Sequence, residues 1–285
     1  MYKIQLIKIM KNTLKKAALI LVLFLGGCSS ITFIYNQFDN LFPWYLQSYV
    51  DLDRDQKKYL DELLTPFFQW HRVQEMPKYA QIIGDLELAI NDEVDLESIA
   101  LITHNVEESW FRLEDQMIMW ATPLARELSD EQITKFIQVL KTKTTQSEKK
   151  LLVRNDQVYQ SDSYKSLRKN LRRFMGSLTK DQLDLVKITS KEMRRVDAER
   201  IQSRKAFNEK LSLILQREQG WEERLKKITH SDDLVADNYQ STYAFNTDLI
   251  QHLLVAILNS RNDKQDQKLR TQLARYKADI NSLAN

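Results

Sequence analysis

The chain has few of the residues that cross-link a protein or turn its backbone: one cysteine, five glycines and four prolines in 285 residues. A single cysteine excludes a disulfide within the chain. Turn-rich β architectures need far more glycine and proline, and no run of alternating β-branched residues is present. The sequence therefore predicts an all-α protein, an elongated multi-helix bundle with long amphipathic helices and no β-sheet.

The chain also lacks an excess of positive charge once its first segment is set aside. Residues 1–27 contain five lysines and no acidic residue, so the remainder has 42 − 5 = 37 basic groups against 39 acidic groups. This balance of −2 gives no support to a nucleic-acid partner. The hydrophobic content of 43% favours a folded core over disorder.

Familiar catalytic signatures are missing as well. The sequence contains no G-x-S-x-G, no H-E-x-x-H, no P-loop and no G-x-G-x-x-G. Catalytic residues scattered along the chain could still meet in the fold. We interpret the absence as favouring a protein that is not an enzyme, with no metal and no bound cofactor.

The first segment contains one short apolar run. Two lysines precede the run Ala17–Leu25, which two glycines and Cys28 follow. A helix that crosses the hydrocarbon core of a membrane needs about 20 apolar residues, so this run is too short. A positively charged N-terminal part, a short apolar run and small residues before a cleavage site are typical of an export signal.

The residues Leu25-Gly26-Gly27-Cys28 resemble the lipobox of bacterial lipoprotein signal peptides at every position. The resemblance implies that residues 1–27 are removed and that Cys28 carries a diacylglyceryl thioether, a buried structural cysteine being the alternative. In Gram-negative lipoproteins Asp after the acylated cysteine commonly retains the protein in the inner membrane. Ser29 therefore implies the periplasmic face of the outer membrane, with the inner membrane as the alternative. Either Met1 or Met10 could be the initiator.

The segment that follows, residues 31–50, is rich in aromatic residues at three- and four-residue steps. This spacing predicts an apolar helical face with a break before Pro43. Trp44 and Tyr45 could lie at the headgroup region of a membrane, where such side chains are favoured. The alternative is that this segment forms the first helix of the core.

Three places along the chain share one pattern for starting a helix, a leucine, an N-cap residue, two intervening residues and a glutamine. They are Leu52–Gln56, Leu128–Gln132 and Leu178–Gln182. An Asp, Ser or Thr with Gln three residues later is a capping box. The unequal spacing between the copies, 76 and 50 residues, argues against a solenoid repeat.

Other helix boundaries follow from single residues. Asp95 is predicted to cap a long helix that ends near Pro123, and Gly176 is predicted to end another. The third capping box is predicted to open a helix that reaches at least Gln216. Aromatic residues concentrate before residue 126. We therefore predict an aromatic-rich lobe over 28–128 and a more charged lobe over 129–285, or else one continuous domain.

The most suggestive polar cluster is Trp70–Glu75. His71 and Glu75 lie one helical turn apart, with Arg72 beside them, and could form an acid–base pair or half of a metal site. No second histidine lies nearby in sequence. A hydrogen-bonded structural histidine is the alternative.

A second resemblance covers nearly the whole chain after Cys28. The segments that carry it are Cys28-Ser29-Ser30, Tyr35-Asn36, Phe38-Asp39, Trp44-Tyr45-Leu46, Tyr49-Val50-Asp51-Leu52, Trp70-His71-Arg72 and Glu75-Met76-Pro77-Lys78-Tyr79. They resemble a family of proteobacterial lipoproteins classed as a domain of unknown function. The resemblance implies a fold unit and a Gram-negative setting, and it implies no activity.

Three functions follow as hypotheses. The first is a membrane-anchored, non-enzymatic protein that binds or organises another protein, lipid or glycan of the envelope. The second is a periplasmic holdase, because the three capping segments resemble the L-T-x-x-Q motif of the Spy and CpxP chaperones; only Leu178-Thr179 matches fully. The third is a cell-wall or lipid hydrolase that uses His71 with Glu75. A basic stretch, Lys165 to Arg173, could meet anionic lipid or glycan phosphates or be a solvated helix face.

Overall fold

A computed structural model describes Thr32, Tyr35, residues 37–230 and residues 237–284. These residues are predominantly helical and include no strand, which confirms the prediction of an all-α multi-helix bundle. Cys28, Ser29 and the predicted signal segment lie outside the described residues. Among the described helices, none combines the length and the apolar content needed to cross a membrane.

The helices are numbered here in chain order. They are α1 (Phe38–Leu46), α2 (Arg54–Trp70), a π-helical turn (His71–Glu75), α3 (Met76–Ala89), α4 (Leu96–Glu127), α5 (Asp130–Leu151), α6 (Asp156–Met175), α7 (Lys180–Glu192), α8 (Asp197–Ile214), α9 (Trp221–Lys226), a 3-10 turn (Ile228–His230), α10 (Asp237–Asn259) and α11 (Asp263–Ala284).

Local hydrogen bonds explain where several helices begin. All three predicted capping boxes are present, at the starts of α2, α5 and α7, and Asp95 caps α4 through the backbone N–H of Ser98 at 2.7 Å. α11 begins with a reciprocal pair of the same kind, which the sequence analysis missed. There Asn262 and Gln265 exchange side-chain and backbone hydrogen bonds at 3.1 Å.

The capping glutamines also join helices that are distant in sequence. The amides of Gln56 and Gln132 donate to one another at 3.0 and 2.7 Å, which ties the start of α2 to the start of α5. Gln182 and Gln265 do the same at 3.1 and 2.8 Å, which ties α7 to α11. Each glutamine therefore satisfies its own helix end and fixes a neighbouring one.

The buried apolar side chains form two regions. Core A lies between α2, the second half of α4, α5, α8 and α9, with Leu60 and Trp120 among its members. Core B lies between α3, α6, α7, α10, α11 and the first half of α4, with Ile257 and Ile280 fully buried. Core A takes residues from both sides of Ser129, and the division into lobes at that residue stays a prediction.

Three predicted boundaries are wrong. α1 runs through Pro43, because Phe42 packs on Trp120 with ring centroids 5.3 Å apart and holds the helix against core A. α4 runs four residues beyond Pro123, to Glu127. A proline in a helix removes one hydrogen bond, and packing on both sides compensates for it here.

The third error is the predicted helix from Lys180 to at least Gln216, which is interrupted between Glu192 and Asp197. Asn246 of α10 holds the backbone of Arg194 at this break, accepting from its N–H at 2.9 Å and donating to its carbonyl at 2.8 Å. Gly176 ends α6 with φ +81°, as predicted.

Candidate functional site

A partly open cavity with a volume of about 580 Å³ lies in core B. α3, α4, α6, α10 and α11 all contribute to its wall. The apolar side chains that line it include Ile82, Ile83, Leu86, Ile102, Val106, Phe174, Ile250 and Leu273. Cavities of this size and apolar character are typical of sites that bind small molecules.

Most of the cavity lining is apolar, and two of the polar side chains that line it are paired with each other. The hydroxyl of Tyr243 on α10 donates to a carboxylate oxygen of Glu107 on α4 at 2.6 Å. Burial, and then this hydrogen bond, raise the pKa of Tyr243, so it stays a neutral donor. The pair closes part of the wall and leaves the interior mainly to apolar contacts.

A buried polar cluster adjoins the cavity, on the π-helical turn between α2 and α3. π-helical turns are rare and often occur at functional sites. His71 is buried there between two tyrosines: its Nδ1 lies 2.7 Å from the hydroxyl of Tyr35, and its Nε2 lies 3.4 Å from that of Tyr79. Burial lowers the pKa of His71 to about 4 against the opposing charge of Glu75, so the ring is neutral at pH 7.

Glu75, on the same turn, is fully buried and held by two cations. Arg112 of α4 donates to both carboxylate oxygens, through Nε at 3.0 Å and Nη2 at 2.7 Å. Lys78 donates to one of the same oxygens at 3.2 Å. Arg112 also donates to Ser109, which lines the cavity, so the charged cluster and the cavity share a wall.

The hydrogen bonds of His71 and Glu75 therefore differ from those expected of an acid–base pair. His71 and Glu75 share the turn, but the hydrogen bonds of His71 are to tyrosines and those of Glu75 are to cations. The guanidinium of Arg72 lies 4.8 Å from the ring centre of Tyr35. Within the described residues, no three His, Cys, Asp or Glu side chains come together as a metal site requires.

The remaining predicted residues lie elsewhere. Trp44 and Tyr45 are on α1, against core A; Trp44 is 57% exposed, and the hydroxyl of Tyr45 lies 2.7 Å from that of Tyr49. In the basic stretch on α6, Lys165, Arg168, Lys169 and Arg172 are all exposed, as a solvated helix face would be. Cys28 and Ser29 are outside the described residues.

Neither the cavity nor the role of Arg112 could be inferred from the sequence. The residues around the cavity are ordinary apolar positions on five separate helices, and Arg112 has no sequence neighbour that marks it. Tyr35 and Tyr79 did stand in the segments that carry the family resemblance, but nothing connected them with His71. Only packing brings these groups together.

The fold and the site together define an all-α protein with an apolar cavity beside a buried polar cluster. The chain belongs to DUF6279, a family of unknown function, whose model matches residues 48–240. No curated protein and no solved structure matches the chain. Tyr35, Tyr243 and the whole of α11 lie outside the matched range, although they contribute to the cluster and the cavity.

Proposed function

We propose that this protein is a non-enzymatic binding protein of the Gram-negative cell envelope, anchored to a membrane by lipid on Cys28. The observation that carries the proposal is the apolar cavity in core B. Because Tyr243 and Glu107 satisfy one another, a ligand gains little from polar groups there and most from apolar contact. The ligand is therefore a mainly apolar small molecule.

The anchor is proposed from the lipobox resemblance, and the position of Tyr35 is consistent with it. The buried Tyr35 lies only 35 − 28 = 7 positions after Cys28. Seven residues span at most about 25 Å. The anchor would thus hold the folded body close to the membrane, where apolar molecules concentrate. Ser29 favours the periplasmic face of the outer membrane.

Catalysis finds less support. A hydrolase that used His71 and Glu75 would need a nucleophile near the histidine and a carboxylate available to it. The described groups bound to His71 are tyrosine hydroxyls, and both oxygens of Glu75 accept from Arg112.

The holdase hypothesis rested on the capping segments. The side-chain amides of Gln56, Gln132 and Gln182 are all engaged in caps and in contacts between helices. The motif therefore has a structural explanation, and no further observation favours a chaperone.

The cavity can be tested by filling it. Ile102 lines the cavity, whereas its neighbour Leu101 is 57% exposed on the same helix. We expect the wild-type protein to bind the apolar probe N-phenyl-1-naphthylamine saturably, Ile102→Trp to weaken binding at least tenfold, and Leu101→Trp to leave it unchanged. Fluorescence titration measures all three. Equal binding by the two tryptophan variants would remove the cavity as the binding site.

The anchor has its own test. Cys28→Ser should abolish labelling by palmitate and leave the protein either released or as an uncleaved precursor, because two or three acyl chains are needed for stable attachment. Palmitate labelling that persists in this variant would contradict the lipobox interpretation. Fractionation that finds the wild-type protein mainly in the inner membrane would contradict the proposed location.

A further inference from the structure

Three basic side chains on α5 and α8 form a group far from the cavity. Lys143 lies on α5, and Arg200 and Arg204 lie one turn apart on α8, which packs against α5. We name these three residues the cationic cluster. All three are half-buried.

Hydrogen bonds and a ring contact place Lys143 and Arg204 close together beside Tyr49. The ammonium of Lys143 lies 3.7 Å from the ring centre of Tyr49 and 3.4 Å from the hydroxyl of Ser48. One turn along α5, the hydroxyl of Ser147 accepts from Arg204 at 3.4 Å. The hydroxyls and cations therefore border one small area between α5, α8 and the residues that follow α1.

The cluster has no counter-charge among the residues that the structure describes. Among the described residues, no carboxylate lies within 4.0 Å of Lys143, Arg200 or Arg204. Glu148, next in sequence to Ser147, pairs instead with Lys205 at 2.6 Å. Burial, and then the charge of Arg200, lower the pKa of Arg204, which is the physical sign of an uncompensated charge.

Two other half-buried arginines, Arg112 and Arg154, differ from Arg204 in this respect. Arg112 holds Glu75, and Arg154 holds the buried Asp197 with two bonds of 2.6 Å. Burying a cation without a partner is unfavourable, and proteins usually avoid it. A lone half-buried arginine beside two further cations is the arrangement expected where a bound anion completes the site.

We propose that the cationic cluster binds a phosphate group. A guanidinium donates two parallel hydrogen bonds to a phosphate, and the ammonium of Lys143 adds a point charge. Ser48 supplies a hydroxyl group at the border of the same area, whereas the hydroxyl of Ser147 donates to the carbonyl of Lys143 at 2.9 Å and positions Arg204. The phosphate could belong to a phospholipid headgroup or to a small soluble phosphate, and both present the same chemistry. The site is separate from the cavity and independent of its proposed function.

Calorimetry on the full chain in non-ionic detergent tests the site and its source of phosphate. One titration uses inorganic phosphate against sodium chloride of equal ionic strength. A second uses dihexanoyl phosphatidylglycerol against dihexanoylglycerol, which has the same acyl chains and no phosphate. Binding of either phosphate probe above its control supports the site, and the stronger of the two identifies the source. Binding of neither would overturn the proposal.

Variants separate binding from folding. Arg204→Gln and Lys143→Gln should each weaken phosphate binding at least tenfold, while Lys141→Gln, an exposed change on the same helix, should not. Because Arg204 has no ion-pair partner among the described residues, Arg204→Gln should leave the melting temperature without phosphate unchanged or higher. Undiminished phosphate binding by Arg204→Gln would overturn the proposal. A lower melting temperature without phosphate would show that Arg204 has a structural role instead.

Discussion

The buried ion pair between Glu75 and Arg112 allows a sharp test of how the polar cluster is stabilised. The side chain of Glu75 is 0% exposed, and both of its oxygens accept from Arg112. In Arg112→Met the carboxylate would remain buried with only Lys78, whose side chain is 47% exposed and reaches one oxygen at 3.2 Å. Removing one partner of a buried pair leaves an uncompensated charge.

We expect Arg112→Met to lower the free energy of unfolding by about 3 kcal/mol, the usual penalty for breaking a buried ion pair. Combining it with Glu75→Gln should recover part of that loss, because a neutral amide is less unfavourable to bury than a carboxylate. The double variant is therefore expected to be more stable than the single one.

Urea denaturation followed by circular dichroism at 222 nm measures these differences. Arg126→Met is the matched control on the same helix, since Arg126 and Glu222 form a more exposed pair. The control should hardly move the unfolding midpoint. The reasoning would fail if Arg112→Met were no more destabilising than Arg126→Met, or if the double variant were less stable than Arg112→Met alone.

Three further predictions concern stability. Burial holds the pKa of His71 near 4, below its unfolded value of 6.5. The unfolded state therefore binds the proton at a higher pH than the folded state does. The contribution of this group to the free energy of unfolding is full above pH 6.5 and falls by about 3 kcal/mol as the pH drops to 4. His71→Gln should lower stability at pH 7 by about 1 kcal/mol and flatten this pH dependence, and denaturation at several pH values would reveal an unchanged slope if the assignment were wrong. Gly176→Ala should destabilise the protein by about 1 kcal/mol, because φ at this position is +81°. Gly84→Ala inside α3 should stabilise it, since the new methyl group meets only the flexible end of a lysine. Melting temperatures that shift in the same direction for both variants would contradict this. Gln182→Ala should lower the free energy of unfolding by about 2 kcal/mol, because it removes a cap and the contact with α11. Gln138→Ala, at an exposed position, should be neutral. Equal urea midpoints for the two variants would count against the glutamine pairing.

The helix starts at Asp53, Ser129 and Thr179 could be predicted because a capping box joins residues only three apart. Such bonds depend on local backbone geometry, and the residue types alone indicate them. The all-α class followed in the same way from the scarcity of glycine and proline. The fourth reciprocal cap, at Asn262, was missed because its leading leucine is absent.

The contacts between the capping glutamines of different helices depended on the tertiary structure. The pairing of Gln56 with Gln132 joins residues 76 positions apart, and that of Gln182 with Gln265 joins residues 83 apart. Nothing local to either residue selects its partner. The break before Asp197 has the same origin, because Asn246, 52 residues beyond Arg194, holds the backbone there.

The same distinction between local and tertiary effects applies to the candidate sites. The sequence placed His71 and Glu75 on one turn, since that spacing is a property of any helix. Their burial, the neutral state of His71 and the role of Arg112 came from packing between helices distant in sequence. The cavity and the position of Arg204, which has no carboxylate partner among the described residues, likewise depend on how the helices pack.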